Sequence, residues 1–547
     1  MANPSQTRDP NKPLATPATP PCPPVGSARK WGGGGGQLTA PSPQLLPDRD
    51  EAVKLIDFAT TVLTRRASDV GGRQPDVEDL DLSVIYTSGD DIDLLHNRSI
   101  VHNEQPLHAA DITPPHLAAW LDFAARHVTG RLTLAVPRVP EKVAAGLSME
   151  LSCSARAWEM ILILGGATVT VPAAAATGAF NALADVRLSH ASVDAGDGSA
   201  RLGQLLSSSC SPRLRRLYLS FIQGIGELWL DAAGSLEEIQ LLHLDGLRAL
   251  DVDAPGLRVL GIDECFDVSL AAVLMLRLRV LSWSGHMCRA GRLRFDGAAS
   301  IQRIEKLQLE PLRRRLDGDE EDGGDESAAV WFLRHSTAVE WLVVNVQWPL
   351  SFVLKNVVGS LGFEYEDNIT KHTPHLPSVR NLEIKARSYP TEHTIAATVA
   401  KLIAKCTEIE DLAIELWSKD DKEECSDSNC ICNHPKGWES QKISLEHLRN
   451  VMIHSFLALD SQINLVRLLL TSTPALEKMT ISLQMMPYSE SGKVVAFHIP
   501  CYGGCWVGYD WMRHCRLGIT WARKYEWTRV REGKEGKRAH LDGICIF

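Results

Sequence analysis

Several things are missing from this 547-residue chain, and each absence removes a class of function. Positive charge is not in excess: the net charge is −10 and the pI about 6.0, so nothing draws the chain generally toward nucleic acid or anionic membrane. Cysteine is sparse and uneven, 13 residues, far below the density of a disulfide scaffold, which points to a reducing cytoplasmic or nuclear setting. The opening Met1-Ala2-Asn3-Pro4 runs on through Pro and Gly with no apolar stretch suited to a secretory signal. The glycosylation tripeptides Asn97-Arg98-Ser99 and Asn368-Ile369-Thr370 are therefore expected to be silent. No G-x-S-x-G, H-E-x-x-H, Walker loop or strand-following G-x-G-x-x-G occurs, and the run Gly32 to Gly36 sits in low-complexity sequence. Neither an enzyme nor a cofactor is expected, and His190, His243 and His286 read as surface or core residues. Only Met160 to Ala184 is uncharged and long enough to cross a bilayer. Its Gly165, Gly166, Thr168, Thr170 and Pro172, without a flanking Lys/Arg cluster, predict two buried strands joined by a loop and no membrane partner.

What is present starts with a hydrophobic content of 44%, enough at this length for several domains or one elongated repeat array. Residues 1–49 are rich in Pro, Ser and Gly and are expected to be disordered, because they cannot bury enough surface to offset their ordering entropy. From about residue 51 a helical pattern begins, with Ile56, Phe58, Ala59, Val62 and Leu63 on a broad apolar face.

The pattern L-x-x-L-x-L then recurs, with other apolar residues allowed at the L positions: Leu183-Val186-Leu188, Leu214-Leu217-Leu219, Leu236-Ile239-Leu241, Leu257-Leu260-Ile262, Leu278-Leu281-Trp283 and Ile304-Leu307-Leu309. The central copies start 22, 21, 21 and 26 residues apart, from Leu214 to Ile304. Looser copies run from Val77-Leu80-Leu82 to Leu476-Met479-Ile481. Residues two apart on a strand share a face, so the last two apolar positions enter one core while the first caps the turn into the strand. One repeat cannot bury its own core; stacked neighbours can. The expectation is an α/β leucine-rich-repeat solenoid over residues 50–372, with a curved parallel sheet and an irregular helical or loop convex side. Leu217, Ile239, Leu260 and Leu281 should then lie on adjacent parallel strands. An extra copy, Leu247-Leu250-Val252, is expected on the convex side as a returning strand, and the acidic stretch Asp317 to Glu326 as a solvated loop.

A further set of residues carries a resemblance. His375-Leu376-Pro377-Ser378-Val379-Arg380-Asn381-Leu382-Glu383-Ile384 is followed by Cys430-Ile431-Cys432, Pro435 and Trp438, then by Leu445-Leu448-Val451-Ile453-Phe456, Leu465-Val466-Leu468-Leu469-Leu470 and Pro474-Ala475-Leu476-Glu477-Lys478-Met479-Ile481. Over roughly residues 50 to 483 the chain resembles plant F-box/leucine-rich-repeat proteins with a C-terminal FBD domain. The resemblance implies an FBD-like domain at 373–483 that continues the repeats. It also implies a substrate-recruiting subunit of a cullin-type ubiquitin ligase and docking onto a Skp-type adaptor. That family's opening helices, starting Leu-Pro-Asp and ending Ser-Arg-Arg-Trp, have no counterpart: Leu46-Pro47-Asp48 runs at once into Arg49-Asp50-Glu51-Ala52. A form that binds substrate without delivering it is therefore expected.

The partner-binding residues are expected between the core positions of each strand, on the concave face: Arg187, Arg216, Tyr218, Glu238, Gln240, Asp263, Lys306 and Gln308, with Arg216 and Tyr218 as anchors. Cys425, Cys430, Cys432 and His434 are the candidate zinc ligands, but their C-x4-C-x-C-x-H spacing is not that of a standard finger, and a plain loop without metal is expected. In the tail, residues 484–547, Trp506, Trp511, Trp521 and Trp527 occur among Arg and Lys. Such a mix can hold single-stranded nucleic acid, but no repeat organises it, so poor order and no nucleic-acid partner are expected. The alternative function is zinc or nucleic-acid binding through this tail and the Cys425–His434 loop.

Overall fold

The computed structural model describes residues 37–39, 49–68, 76–83, 112–136, 148–151, 156–171, 180–194, 196–232, 234–265, 268, 270–274, 276–284, 293–309, 312–315, 327–347, 363–366, 372–387, 396–417, 438–456, 459–484, 506–513 and 522–529. Its strands are β1 (Gln37–Thr39), β2 (Asp79–Ser83), β3 (Arg131–Ala135), β4 (Ser148–Glu150), β5 (Glu159–Thr170), β6 (Asp185–Val193), β7 (Arg216–Gln223), β8 (Glu227–Asp231), β9 (Glu238–Leu242), β10 (Ala249–Asp253), β11 (Val259–Asp263) and β12 (Leu270–Leu274). They continue as β13 (Val280–Ser284), β14 (Leu293–Asp296), β15 (Arg303–Leu309), β16 (Leu312–Arg315), β17 (Trp341–Gln347), β18 (Phe363–Glu366), β19 (Asn381–Arg387), β20 (Asp411–Trp417), β21 (Asn450–Phe456), β22 (Lys478–Gln484), β23 (Trp506–Arg513) and β24 (Ala522–Arg529). The helices are α1 (Arg49–Ser68), α2 (Pro114–His127), α3 (Gly198–Leu206), α4 (Ala328–His335), α5 (Ala396–Ile403) and α6 (Asp460–Ser472).

Pairing follows the order of the chain. The strands β1, β2, β3, β5, β6, β7, β9, β11, β13, β15, β17, β19, β20, β21 and β22 lie side by side, each parallel to the next. The protein is thus α/β, with a large, mostly parallel sheet and few helices. Leu217, Ile239, Leu260 and Leu281 are direct register partners on adjacent strands, and all four are buried. Leu219, Leu241, Ile262 and Trp283 form the parallel row two residues on, also buried. Each such side chain contributes roughly 1.5–3 kcal/mol by leaving water.

The first apolar position of each repeat sits in a tight turn before the strand: Leu214 N–H donates to Ser211 O (3.1 Å) and Leu257 N–H to Ala254 O (3.0 Å). Just beyond it, single carbonyls accept two N–H groups from the following repeat. Ala184 O takes Arg215 and Arg216, Arg215 O takes Glu237 and Glu238, Glu237 O takes Arg258 and Val259, and the series continues to Arg449 O with Glu477 and Lys478. Neighbouring repeats are therefore tied by backbone before the sheet ladder begins.

Repeat length decides what lies on the other side of the core. Intervals of 22, 21, 21 and 23 residues separate Leu217, Ile239, Leu260, Leu281 and Ile304, and they hold β8, β10, β12 and β14. These pair as a second, parallel four-stranded sheet. After the main strand and two turns, a 21-residue repeat has room for an extended segment of about five residues, which spans about 16 Å. A helix of eight residues would span only about 12 Å in the same stretch. Helices appear in longer intervals: α3 in 31 residues between Val186 and Leu217, α5 in 30 between Leu382 and Leu412, α6 in 28 between Val451 and Met479. An irregular helical or loop outer side was expected; in the central repeats it is a regular sheet. Leu247-Leu250-Val252, expected as an outer returning strand, leads into and forms β10.

Other expectations meet the described residues only in part. Among the described residues of Met160 to Ala184 there is one strand and not two: β5 is a single twelve-residue strand and Phe180–Ala184 leads into β6, while 172–179 lie outside the described residues. The apolar face of α1 is narrower than expected, since Ile56, Ala59 and Leu63 are buried while Phe58 is exposed. Within the N-terminal segment expected to be disordered, β1 pairs with β2; residues 1–36 and 40–48 lie outside the described residues. Within the tail expected to be poorly ordered, β24 pairs antiparallel with β22, and β23 with β24. The acidic stretch 317–326 lies outside the described residues. Among those described, no helix is long and apolar enough to cross a membrane.

Candidate functional site

Along each strand of the large sheet, the residues alternating with core positions point away from the core. The register sets them in rows. Asp185, Arg216, Glu238, Val259, Val280 and Arg303 form one row; Arg187, Tyr218, Gln240, Gly261, Ser282 and Lys306 the next; Ser189, Ser220, Leu242, Asp263 and Ser284 the third. Gln308 lies opposite Asn345 on the neighbouring strand. All eight residues expected to bind a partner thus reach one open face.

The electrostatics of the face differ from a row of free anchors. Arg216 Nε and Nη2 donate to Asp185 Oδ1 and Oδ2 at 2.7 and 2.6 Å, with Asp185 itself buried. This bidentate pair raises the guanidinium pKa and commits Arg216 to its own sheet. Arg131 Nε likewise donates to the buried Glu159 Oε2 at 2.6 Å, through a single bond. Arg187 is exposed, while Tyr218 and Gln240 are half-buried, and Gln240 lies across the bare backbone of Gly261. Asp263 accepts from Ser282 Oγ (3.0 Å) and Ser284 Oγ (2.9 Å), with Lys306 Nζ 3.4 Å from Asp263 and 3.6 Å from Glu264. Glu264 also pairs with His243 Nε2 at 2.5 Å.

One row escaped the sequence reading. Five residues into β6, β7, β9, β11 and β21, or just past them, stand His190, Phe221, His243, Glu264 and Ser455, all left-handed with φ between 50° and 56°. Each is followed by a buried residue: Ala191, Ile222, Leu244, Cys265 and Phe456. The left-handed turn redirects the chain inward, and a non-glycine residue there costs about 1–2 kcal/mol. Stacking offsets part of it: the rings of His190 and Phe221 lie 4.7 Å apart, and those of Phe221 and His243 4.5 Å. The strand-end rim therefore carries an aromatic ladder running into the Glu264–Lys306–Asp263 cluster. The signal in the sequence was the fixed offset of these residues from each repeat, which their mixed chemistry disguised.

Cys265 and Cys406 offer no nucleophile on this face. Burial pushes both Cys265 and Cys406 up to about 12, so each stays protonated. No group of three or more His, Cys, Asp or Glu among the described residues is placed to hold a metal. Cys425, Cys430, Cys432, His434 and His286 lie outside the described residues. No family model, curated protein or solved structure matches the chain.

Proposed function

We propose that this chain is a non-enzymatic protein-interaction scaffold, a leucine-rich-repeat solenoid that holds a protein partner on the open face of its large sheet. The role is that of the substrate-recruiting part of an F-box subunit of a cullin-type ubiquitin ligase, exercised in the cytoplasm or nucleus without firm docking to a Skp-type adaptor. One observation carries the reading: Arg187, Tyr218, Gln240, Asp263, Lys306 and Gln308, taken from strands scattered over more than a hundred residues, share one continuous face. A long array of outward Arg, Tyr, Gln and acidic side chains on a rigid backbone suits recognition of a protein surface, with orientation set by polar pairs and area supplied by aromatic rings.

The test places a photo-crosslinking amino acid at Tyr218 or Gln240 of the full chain, with Arg467 on α6 as a control position. A protein trapped from both face positions, lost on Arg187→Glu and absent from the control, is expected. Equal trapping from all three positions, or none from the face, would refute the reading. Purified Skp-type adaptor is expected to stay unbound in the same experiment.

A further inference from the structure

The second sheet has an outer face of its own. Leu228, Leu250, Ala271 and Leu293, then Leu230, Val252, Val273 and Phe295, are buried in register, so the alternating residues turn away from the core. They form the rows Trp229, Asp251, Ala272, Arg294 and Asp231, Asp253, Leu274, Asp296. Trp229 is 61% exposed, Leu274 37% and Leu276, two residues beyond β12, 65%. Two large apolar side chains left open on one small face, with a third exposed just past its edge, mark a contact surface more than a solvated wall.

Beside Trp229 lies a cavity of about 750 Å³ between the sheet and α3. Its walls are fixed by backbone. A Cβ added to Gly203 of α3 would stand 2.5 Å from the Trp229 carbonyl oxygen; Asp231 N–H donates to Ser207 Oγ at 3.1 Å; and Ser199 Oγ donates to the Glu227 carbonyl. Glu227, Asp231, Asp251 and Asp253 line the cavity, with Arg248 as its cation. Among the described residues, none of these four carboxylates makes an ion pair or a side-chain hydrogen bond, whereas Asp185, Glu237 and Glu410 elsewhere are each held by an arginine.

An exposed indole beside uncommitted carboxylates attracts cations: the ring face binds a guanidinium or ammonium, and the carboxylates take its N–H groups. The chain makes the same kind of ring contact internally, where the Arg303 guanidinium lies 4.6 Å from the centre of the Trp341 ring. We propose that this outer face docks an arginine- or lysine-bearing segment of a partner protein, with one long cationic side chain in the Trp229 cavity and the apolar residues beside it against Leu274 and Leu276. The site is separate from the open face of the large sheet and stands whether or not that face binds a substrate.

The test titrates the full chain with a short peptide alternating Arg and Gly, and with its Glu/Gly counterpart, at about 0.1 M salt, where charges further apart than about 10 Å are screened. One-to-one binding of the basic peptide alone is expected, weakened about ten-fold or more by Trp229→Ala and by the pair Asp251→Asn/Asp253→Asn. The pair Glu439→Gln/Glu446→Gln removes as much charge from exposed positions near α6 and should leave affinity unchanged. Equal losses in the two double variants, or wild-type binding by Trp229→Ala, would overturn the proposal, because attraction to the chain's net charge of −10 would then suffice. Self-association abolished by Trp229→Ala, without peptide binding, would overturn it too and assign the face to a second copy of the chain. All the replaced side chains are exposed apart from the backbone they stand on, so circular dichroism should report an unchanged fold.

Discussion

The most informative single residue is Arg216. Read from the sequence, its place between two core leucines makes it an anchor for a partner; in the folded chain it neutralises a buried aspartate. An exposed ion pair is worth about 0–1 kcal/mol, but Asp185 is only 5% exposed, and removing its partner leaves a mostly buried carboxylate without its cation. Arg216→Ala is therefore expected to destabilise the chain by about 1–3 kcal/mol. Asp185→Asn should cost less, and the double variant little more than either alone. Urea denaturation of the four species measures that coupling, and additive losses would show that the pair does not act as a unit. Arg187, one row over and exposed, is the better candidate for contact with a partner, because nothing in the described structure buries the residue it would leave behind.

At the scale of elements, β6, β7, β9, β11 and β21 each lead to a residue held left-handed so that the next side chain can turn into the core. His190, Phe221 and His243 recover part of that strain through stacked rings. Ser455, at φ 56°, has no such ring. Ser455→Gly is thus expected to raise the melting temperature and Ser455→Val to lower it, since a β-branched residue fits this region worst. Calorimetry of the two variants checks the sign, and a loss in both would mean that Ser455 contributes more by contact than it costs in strain. The outer elements follow another rule. Repeats of 21–23 residues hold a strand opposite the main sheet, while α3, α5 and α6 need intervals of 28–31. The spacing of leucines was plain in the sequence, but the second sheet was visible only at Leu247-Leu250-Val252. The other outer strands send only two side chains each into the core, as Glu227–Asp231 does with Leu228 and Leu230, too short a pattern to read until their neighbours pair with them.

Among the described residues, the parallel strands of the large sheet pair one after another in chain order, a one-dimensional series of contacts. Stability in such a series is close to a sum of local and nearest-neighbour terms, and a defect should stay local. Leu260, fully buried in the central repeat, tests this: Leu260→Ala should cost about 2–5 kcal/mol. Hydrogen exchange followed by mass spectrometry should quicken across β9, β11 and β13 while β20 to β22 keep their protection. Uniform acceleration from end to end would show a single cooperative unit instead. The ends of the array meet the same physics. An unpaired edge strand invites association, and at β22 that edge is taken by β24, itself paired with β23.

The sequence by itself determined which side chains enter the core and which share the open face, because alternation along a strand and a near-constant interval between strands are both written in one dimension. Leu217, Ile239, Leu260 and Leu281 follow from that arithmetic alone, as do the positions of Arg187, Tyr218 and Gln240. Tertiary structure decided how those residues are spent. Whether Arg216 meets a partner or Asp185, whether His190 and His243 stack, and whether Trp229 lines a cavity depend on atoms brought within a few ångströms from positions twenty to thirty residues apart. Distances of that kind are set by strand register and by the element chosen to cross the core, neither of which any local stretch of sequence contains.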